Sequence, residues 1–275
     1  MSKTKVLIVT QEMNPYTELT EIATTVRALA PYLQKNQMEI RVLMPRYGTI
    51  NERRHRLHEV VRLSGMNIIV DDDDYPLIIK VASLPDKGVR MQVYFLDNED
   101  FFKRKFVHVD KAGEPFEDNA DRAVFFSKGV IETVRKFGWP PDIIHVHGWM
   151  TSLIPFYLRT AYKNEPLFKN SKIVYSLYQS GPEEHITEDF AMKASINALS
   201  EDDLAPYLDE DGKPALHRGA IKYSDAVIRG NAELDDKLIE AITAADIPVL
   251  DVQGEEAPKA SVAFYRELLG AEVEK

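Results

Sequence analysis

The 275-residue chain has no cysteine. That removes disulfides, thiolate metal ligands and a cysteine nucleophile, and it fits a reducing compartment. No apolar run approaches the ~18–20 residues that a membrane-spanning helix requires. Behind Lys3 and Lys5 the apolar stretch is too short for a secretory signal. No basic stretch is sustained, and the formal net charge is −10. Nucleic acid and anionic membrane surfaces are therefore not expected partners, because both are bound through many Lys and Arg contacts. What remains is the expectation of a soluble, cytoplasmic, acidic protein. A hydrophobic share of 44% and a charged share of 28% are ordinary for a globular chain.

Glycine is missing from one place where it would be telling. Lys5-Val6-Leu7-Ile8-Val9-Thr10 reads as a buried first strand. Folds that open this way often continue into a glycine-rich turn whose N–H groups hold a phosphate. Here residues 11–22 read QEMNPYTELTEI, with no glycine and with Glu18 and Glu21. Leu19, Ile22, Ala23, Val26, Leu29 and Leu33 have helical spacing, which predicts a helix from Thr17 to Gln34. Thr17 is the expected N-cap, and Glu18 and Glu21 fall in a first turn where negative charge is favourable. MEIRVLMP (38–45) then reads as a second strand, which completes a βαβ unit.

Between 66 and 96, MNIIV, PLIIKVASL and MQVYFL are separated only by DDDDY and PDKG, so antiparallel hairpins are expected beside the parallel sheet. Alternation resumes with a helix at about 118–137, stopped by Gly138 and Pro140. Strands follow at 142–147, 172–178, 225–230 and 247–252, with helices near 150–163, 232–244 and 260–269. Residues 181–213 read as an irregular or short-helical excursion. The expected fold is α/β: a single Rossmann-like, doubly wound, mostly parallel sheet with an inserted antiparallel hairpin region. That domain spans 1–252, and 253–275 form a C-terminal tail with one helix.

Six stretches in order resemble the N-terminal half of bacterial glycogen synthases and plant starch synthases. They are KVLIVTQEMNPY (5–16), EIRVLMPRYGTI (39–50), VYFLDN (93–98), DNADRAVFFSKGVIE (118–132), GWPPDIIHVHGW (138–149) and HRGAIKYSDAV (217–227). The resemblance implies half of a GT-B glycosyltransferase, in which two Rossmann-like domains face a cleft and glucose passes from ADP-glucose, sometimes UDP-glucose, to an α-1,4-glucan. It also exposes departures. The family's Lys-x-Gly-Gly-Leu becomes Glu18, Leu19, Thr20, Glu21 and Ile22 when aligned on Glu12 and Pro15. Side chains at both glycine positions keep a ligand away from the backbone. A like charge ~5 Å from a phosphate costs roughly 3 kcal/mol at an effective dielectric near 20, where a lysine would gain that much. The family's His-x-His-Asp-Trp becomes His145, Val146, His147, Gly148 and Trp149, and its His-Asn-Leu becomes Tyr178, Gln179 and Ser180. No counterpart of the family's second domain is expected after residue 252.

These departures lead to an expected glycogen/starch-synthase-like protein that is inactive alone and acts as a glucan-binding or accessory homologue. One alternative is the acceptor-binding half of a two-chain, ADP-glucose-dependent synthase. Another is a protein–protein interaction module. Candidate substrate or glucan contacts are His147, Trp149, Arg46, Tyr47, Tyr178, Asp118, Asn119 and Arg122. For Asp118, Asn119 and Arg122 the competing reading is an N-cap pair and a helix-to-loop salt bridge. Glu18, Thr20 and Glu21 are degenerate phosphate-loop positions. No catalytic residue, metal or cofactor is called: His145 and His147 alternate on a strand but lack further ligands. Asp71–Asp74 read as a solvated loop, and YLDEDG (207–212) fails as a calcium loop. Ser180 before Gly181 lacks a nucleophile elbow. Expected partners are an α-glucan, a complete glycogen synthase, or a second copy forming a homodimer through the uncovered cleft face.

Overall fold

A computed structural model describes residues 3–84, 91–179, 186–187 and 189–270. The PDKG turn (85–88) and Ser180–Gly181 lie outside these residues. The elements run β1 (Lys5–Thr10), α1 (Glu21–Lys35), β2 (Glu39–Pro45), α2 (Glu52–His55), β3 (His58–Glu59), β4 (Met66–Val70), β5 (Asp73–Ser83), β6 (Gln92–Asp97), α3 (Glu99–Phe102) and α4 (Asn119–Phe137). They continue with β7 (Ile143–His147), α5 (Leu153–Arg159), β8 (Lys172–Leu177), α6 (Phe190–Ala194), α7 (Leu216–Lys222), β9 (Ala226–Arg229), α8 (Asp236–Ala245), β10 (Val249–Leu250) and α9 (Ala257–Leu268).

The sheet order is β10-β9-β8-β7-β1-β2-β6-β5-β3, with β4 hydrogen-bonded to β5. From β10 to β6 all pairs are parallel, whereas β5 is antiparallel to β6, β3 and β4. The expected hairpin region thus extends the parallel sheet at one edge. β7 is buried at every residue, as a central strand covered on both faces must be. Register places Thr10 beside His147, and His147 beside Ser176. The carboxyl ends of β1, β7 and β8 therefore meet at one rim, where open α/β sheets form their ligand crevice.

Several boundaries differ from the sequence expectation. α1 begins at Glu21 with Thr20, not Thr17, as N-cap: Thr20 Oγ1 accepts from Ala23 N at 3.0 Å. Thr17 instead uses its Oγ1 to accept from Met13 N at 3.1 Å inside the loop. Glu18 lies outside the helix, and Leu19 is 78% exposed rather than part of the buried stripe. Asp73 and Asp74 pair with Val70 and Ile69, so half of the four-aspartate run is strand and only Asp71 and Asp72 form the tip. α5 is shorter than expected because a 3₁₀ turn, Trp149–Thr151, precedes it. α9 starts earlier than expected, at Ala257. Its Val262, Phe264 and Tyr265 are buried, and it packs on α1.

Candidate functional site

The loop after β1 is built from side-chain bonds at the positions where the resemblance leads one to expect glycine. Thr20 caps α1 and also donates its hydroxyl to the Glu12 carboxylate. Glu21 accepts from Asn231 Nδ2, and Asn231 Oδ1 accepts from Gln179 N. Gln179 in turn bonds the N-cap of α8: its Oε1 accepts from Asp235 N at 2.9 Å. One polar chain therefore ties together the segments that follow β1, β8 and β9. Glu18 is exposed and stands outside this chain.

Gly148 shows a similar replacement. Its φ is +88°, a region that favours glycine, and the Gln11 side chain fills the space where a Cβ would lie. Gln11 Oε1 accepts from Met150 N at 3.3 Å from there. An aspartate at 148 would have to displace Gln11.

Beneath the rim runs a buried relay. The Tyr265 hydroxyl of α9 meets His145 Nδ1 at 2.5 Å, and His145 Nε2 meets Ser176 Oγ at 2.7 Å. The His145 and His147 ring centroids lie 3.8 Å apart with the planes tilted by 41°, and His147 Nδ1 meets the Tyr178 hydroxyl at 3.0 Å. Burial holds both histidines neutral: His147 falls to about 3, and His145 lies well below its ordinary value, with the adjoining His147 also disfavouring a second proton there. Burial also raises Tyr178 and Tyr265. Glu21, His147, Tyr178, Arg229 and Ser261 line a cavity of about 40 Å³ between α1, the strand ends and α9. His147 Nε2 and Arg229 Nε are buried without a hydrogen-bond partner among the described residues.

A second cluster lies under the segment between α3 and α4. His108 packs edge-on against Tyr47 at 5.7 Å and Trp149 at 5.0 Å, and its Nε2 is 3.8 Å from Glu12. Burial pushes the Glu12 carboxyl up, but His108, Thr20 and Gln11 together bring it below its ordinary value. Trp149 and Tyr47 are each 1% exposed, so neither ring face is open to a sugar in this conformation. His108 carried no sequence signal: it sits in an aperiodic loop and becomes meaningful only once that loop folds over Trp149.

Of the other expected contacts, Asp118 takes a two-nitrogen ion pair from Arg104 and makes no side-chain cap bond. Asn119 donates to His108 O at 2.9 Å and accepts from Arg122 Nη1 at 2.7 Å. Arg122 is fully buried between the Phe102 and Phe116 rings, with Nε donating to Phe101 O at 2.9 Å. Burial lowers its pKa to about 10. Arg46 lies apart from both clusters, in a network in which Glu52 and Asp97 face Arg46 and Lys80. The structure thus joins His147 with Tyr178, and Tyr47 with Trp149 through His108, and leaves Arg46 elsewhere. Among the described residues no group of three or more His, Asp or Glu is placed to hold a metal ion, and no helix is long and apolar enough to cross a membrane.

A mostly parallel α/β sheet with its crevice at the strand carboxyl ends, edged by an antiparallel hairpin, defines a GT-B-type Rossmann-like domain. Residues 5–233 match the family described as "Starch synthase catalytic domain", and the chain belongs to that family. It is 39% identical to a glycogen synthase of Chlorobium phaeobacteroides over 181 residues, which covers 64% of this chain and 37% of that one. To a glycogen synthase of Chlorobaculum tepidum it is 36% identical over 228 residues, 81% of this chain and 45% of that one. The structure of the catalytic domain of Starch Synthase IV from Arabidopsis thaliana, bound to ADP and acarbose, superposes with a TM-score of 0.67 at 20% identity. It covers 82% of this chain and 45% of that one, and it shows the shared fold. The chain spans less than half the length of these relatives.

Proposed function

We propose that this glycogen/starch-synthase-type chain does not itself transfer glucose from ADP-glucose, and that it serves α-glucan metabolism by binding a glucan or assisting a complete synthase. The observation that carries this reading is the state of the first loop. Where the family pattern has a lysine, an exposed Glu18 adds negative charge. Where it has two glycines, Thr20 and Glu21 are committed to Glu12 and Asn231. A sugar nucleotide would meet repulsion and side chains where it needs a cation and bare amides. His147 and Trp149 are covered, so a glucan contact in this reading falls on apolar side chains exposed in the loops at the strand carboxyl ends, Leu19 and Phe106.

The test is glucosyl incorporation from labelled ADP-glucose into maltoheptaose, with this protein alone and mixed with a complete bacterial glycogen synthase, beside calorimetry with maltoheptaose. The expected outcome is no incorporation by the protein alone, together with either maltoheptaose binding or a changed rate of the complete enzyme. Sustained transfer by the protein alone overturns the reading, and so does silence in both the binding and the mixed assay.

A further inference from the structure

The composition hides a concentrated positive surface. In a chain of net charge −10, residues 53–62 read RRHRLHEVVR, with Arg53, Arg54, His55, Arg56, His58 and Arg62 and only Glu59 among them. Arg53, Arg54, Arg56 and Arg62 are exposed, and none of their side chains makes a hydrogen bond or ion pair among the described residues. Among the described residues the nearby acids do not compensate. Glu52 turns its carboxylate to Arg46 and Lys80. Glu59 stands opposite Lys80 in the β3–β5 register, and along a strand it points away from the side occupied by His58.

Part of this segment is concave. Arg54, His55, Arg56, His58 and Ser83 line a recess of about 590 Å³, and among the described residues every ionisable side chain in that lining is basic. The volume is that of a small-molecule site. Two guanidinium groups, two imidazoles and a hydroxyl form a donor set that suits a tetrahedral oxyanion, for which Arg is the preferred partner. His55 is held below its ordinary value by burial and by the neighbouring charge of Arg54. That is the local field an anion would relieve.

We infer that this recess binds a phosphate group, carried by a monoester or free. The site is separate from the crevice and does not rest on the reading of the first loop as degenerate. It does touch that loop: His55 packs edge-on against Tyr16 at 5.0 Å, and the Tyr16 hydroxyl reaches Ser83 O at 3.5 Å. An occupant of the recess would bear on the wall that holds the residues after β1 in place.

Calorimetry of the full chain with glucose 1-phosphate, inorganic phosphate and glucose at low salt tests this, with the His55 and His58 ring resonances followed by NMR. Glucose 1-phosphate should bind more tightly than about 1 mM and move both histidine signals, and glucose should do neither. The double variant Arg54→Ala with Arg56→Asn should weaken binding about tenfold or more, a loss near 1.4 kcal/mol. Asparagine is chosen because Arg56 has φ +56°, which Asn tolerates. Both arginines are exposed, so the urea midpoint should not move. Arg266→Ala, which removes an exposed charge from α9, should leave affinity unchanged. If inorganic phosphate binds as tightly as the ester, the proposal stands with free phosphate as the ligand. It is overturned if neither anion binds, if the double variant binds like the parent, or if Arg266→Ala loses as much.

Discussion

Replacing Tyr265 with Phe isolates one hydroxyl in the contact that holds α9 to the sheet. That hydroxyl is fully buried and meets His145 Nδ1 at 2.5 Å, while His145 Nε2 is engaged by Ser176 at 2.7 Å. Phe fills the same space, so no cavity opens. The cost is a buried ring nitrogen left without a partner, about 1–3 kcal/mol. Tyr265→Ala adds the loss of a buried aromatic body and should cost about 3–5 kcal/mol. For a chain of this size 1 kcal/mol corresponds to a Tm shift of about 2–4 °C. A Phe variant losing ~2 kcal/mol should therefore melt roughly 4–8 °C lower. Urea unfolding followed by far-ultraviolet circular dichroism gives the free energies, with the exposed Arg266→Ala on the same helix as the control. The reasoning is refuted if Tyr265→Phe stays within about 0.5 kcal/mol of the parent and removal of residues 253–275 leaves Tm unchanged. In that case α9 is not part of the cooperative unit.

Three other outcomes follow from the same structure. Below the ordinary histidine value near 6.5 the unfolded chain binds protons at His145 and His147 while the buried native rings do not, so unfolding free energy should fall by about 1.4 kcal/mol per pH unit for each. Urea titrations at pH 6.0, 5.5 and 5.0 should approach twice that slope, halved in His147→Gln, and a flat profile would refute the buried neutral pair; Glu12, with its depressed pKa, protects stability above the ordinary carboxylate range and loses it only at lower pH. Gly219→Ala gains about 1 kcal/mol of helix propensity but drives a Cβ into the buried Tyr207 ring, so overpacking of about 1–3 kcal/mol should leave a net loss of stability in urea. Glu18→Lys with Thr20→Gly and Glu21→Gly should lower stability by about 1–2 kcal/mol through the weakened cap and a helical glycine, and transfer from ADP-glucose should stay undetectable; its appearance would show that only the loop blocks the reaction.

Much of the sheet was legible because buried parallel strands are written as uninterrupted apolar runs. β1, β2, β7 and β8 all lie where those runs predict. The start of α1 was not, because Leu19 continues the same spacing as Ile22 and Val26, and both Thr17 and Thr20 are chemically fit to cap. Only the fold decides between them, by giving Thr17 to Met13 N and Thr20 to Ala23 N. Arg122 was misleading in another way. A charged residue near a helix start reads as a surface ion pair, yet here its stem and guanidinium lie buried against two phenylalanines. The basic surface at 53–62 was hidden by averaging, since a net charge of −10 says nothing about where the minority sign is gathered.

The crevice residues that differ from the family pattern are not simply gaps in that pattern. Glycine at 20 and 21 would remove one bond each from Glu12 and Asn231, and an aspartate at 148 would collide with Gln11. Glu21, Asn231, Gln179 and Asp235 link the segments after β1, β8 and β9, and Gln11 anchors the turn after β7 through Met150 N. Thr20, Glu21 and Gln179 are thus each tied to a bond that requires the new side chain, and two of the bonds, Glu21 with Asn231 and Gln11 with Met150, join residues more than a hundred apart in sequence. A loop that had merely drifted would show exposed, unpaired substitutions, as Glu18 does. The bonds made at 20, 21 and 179 hold the crevice loops to one another, which is why reverting single positions should cost stability.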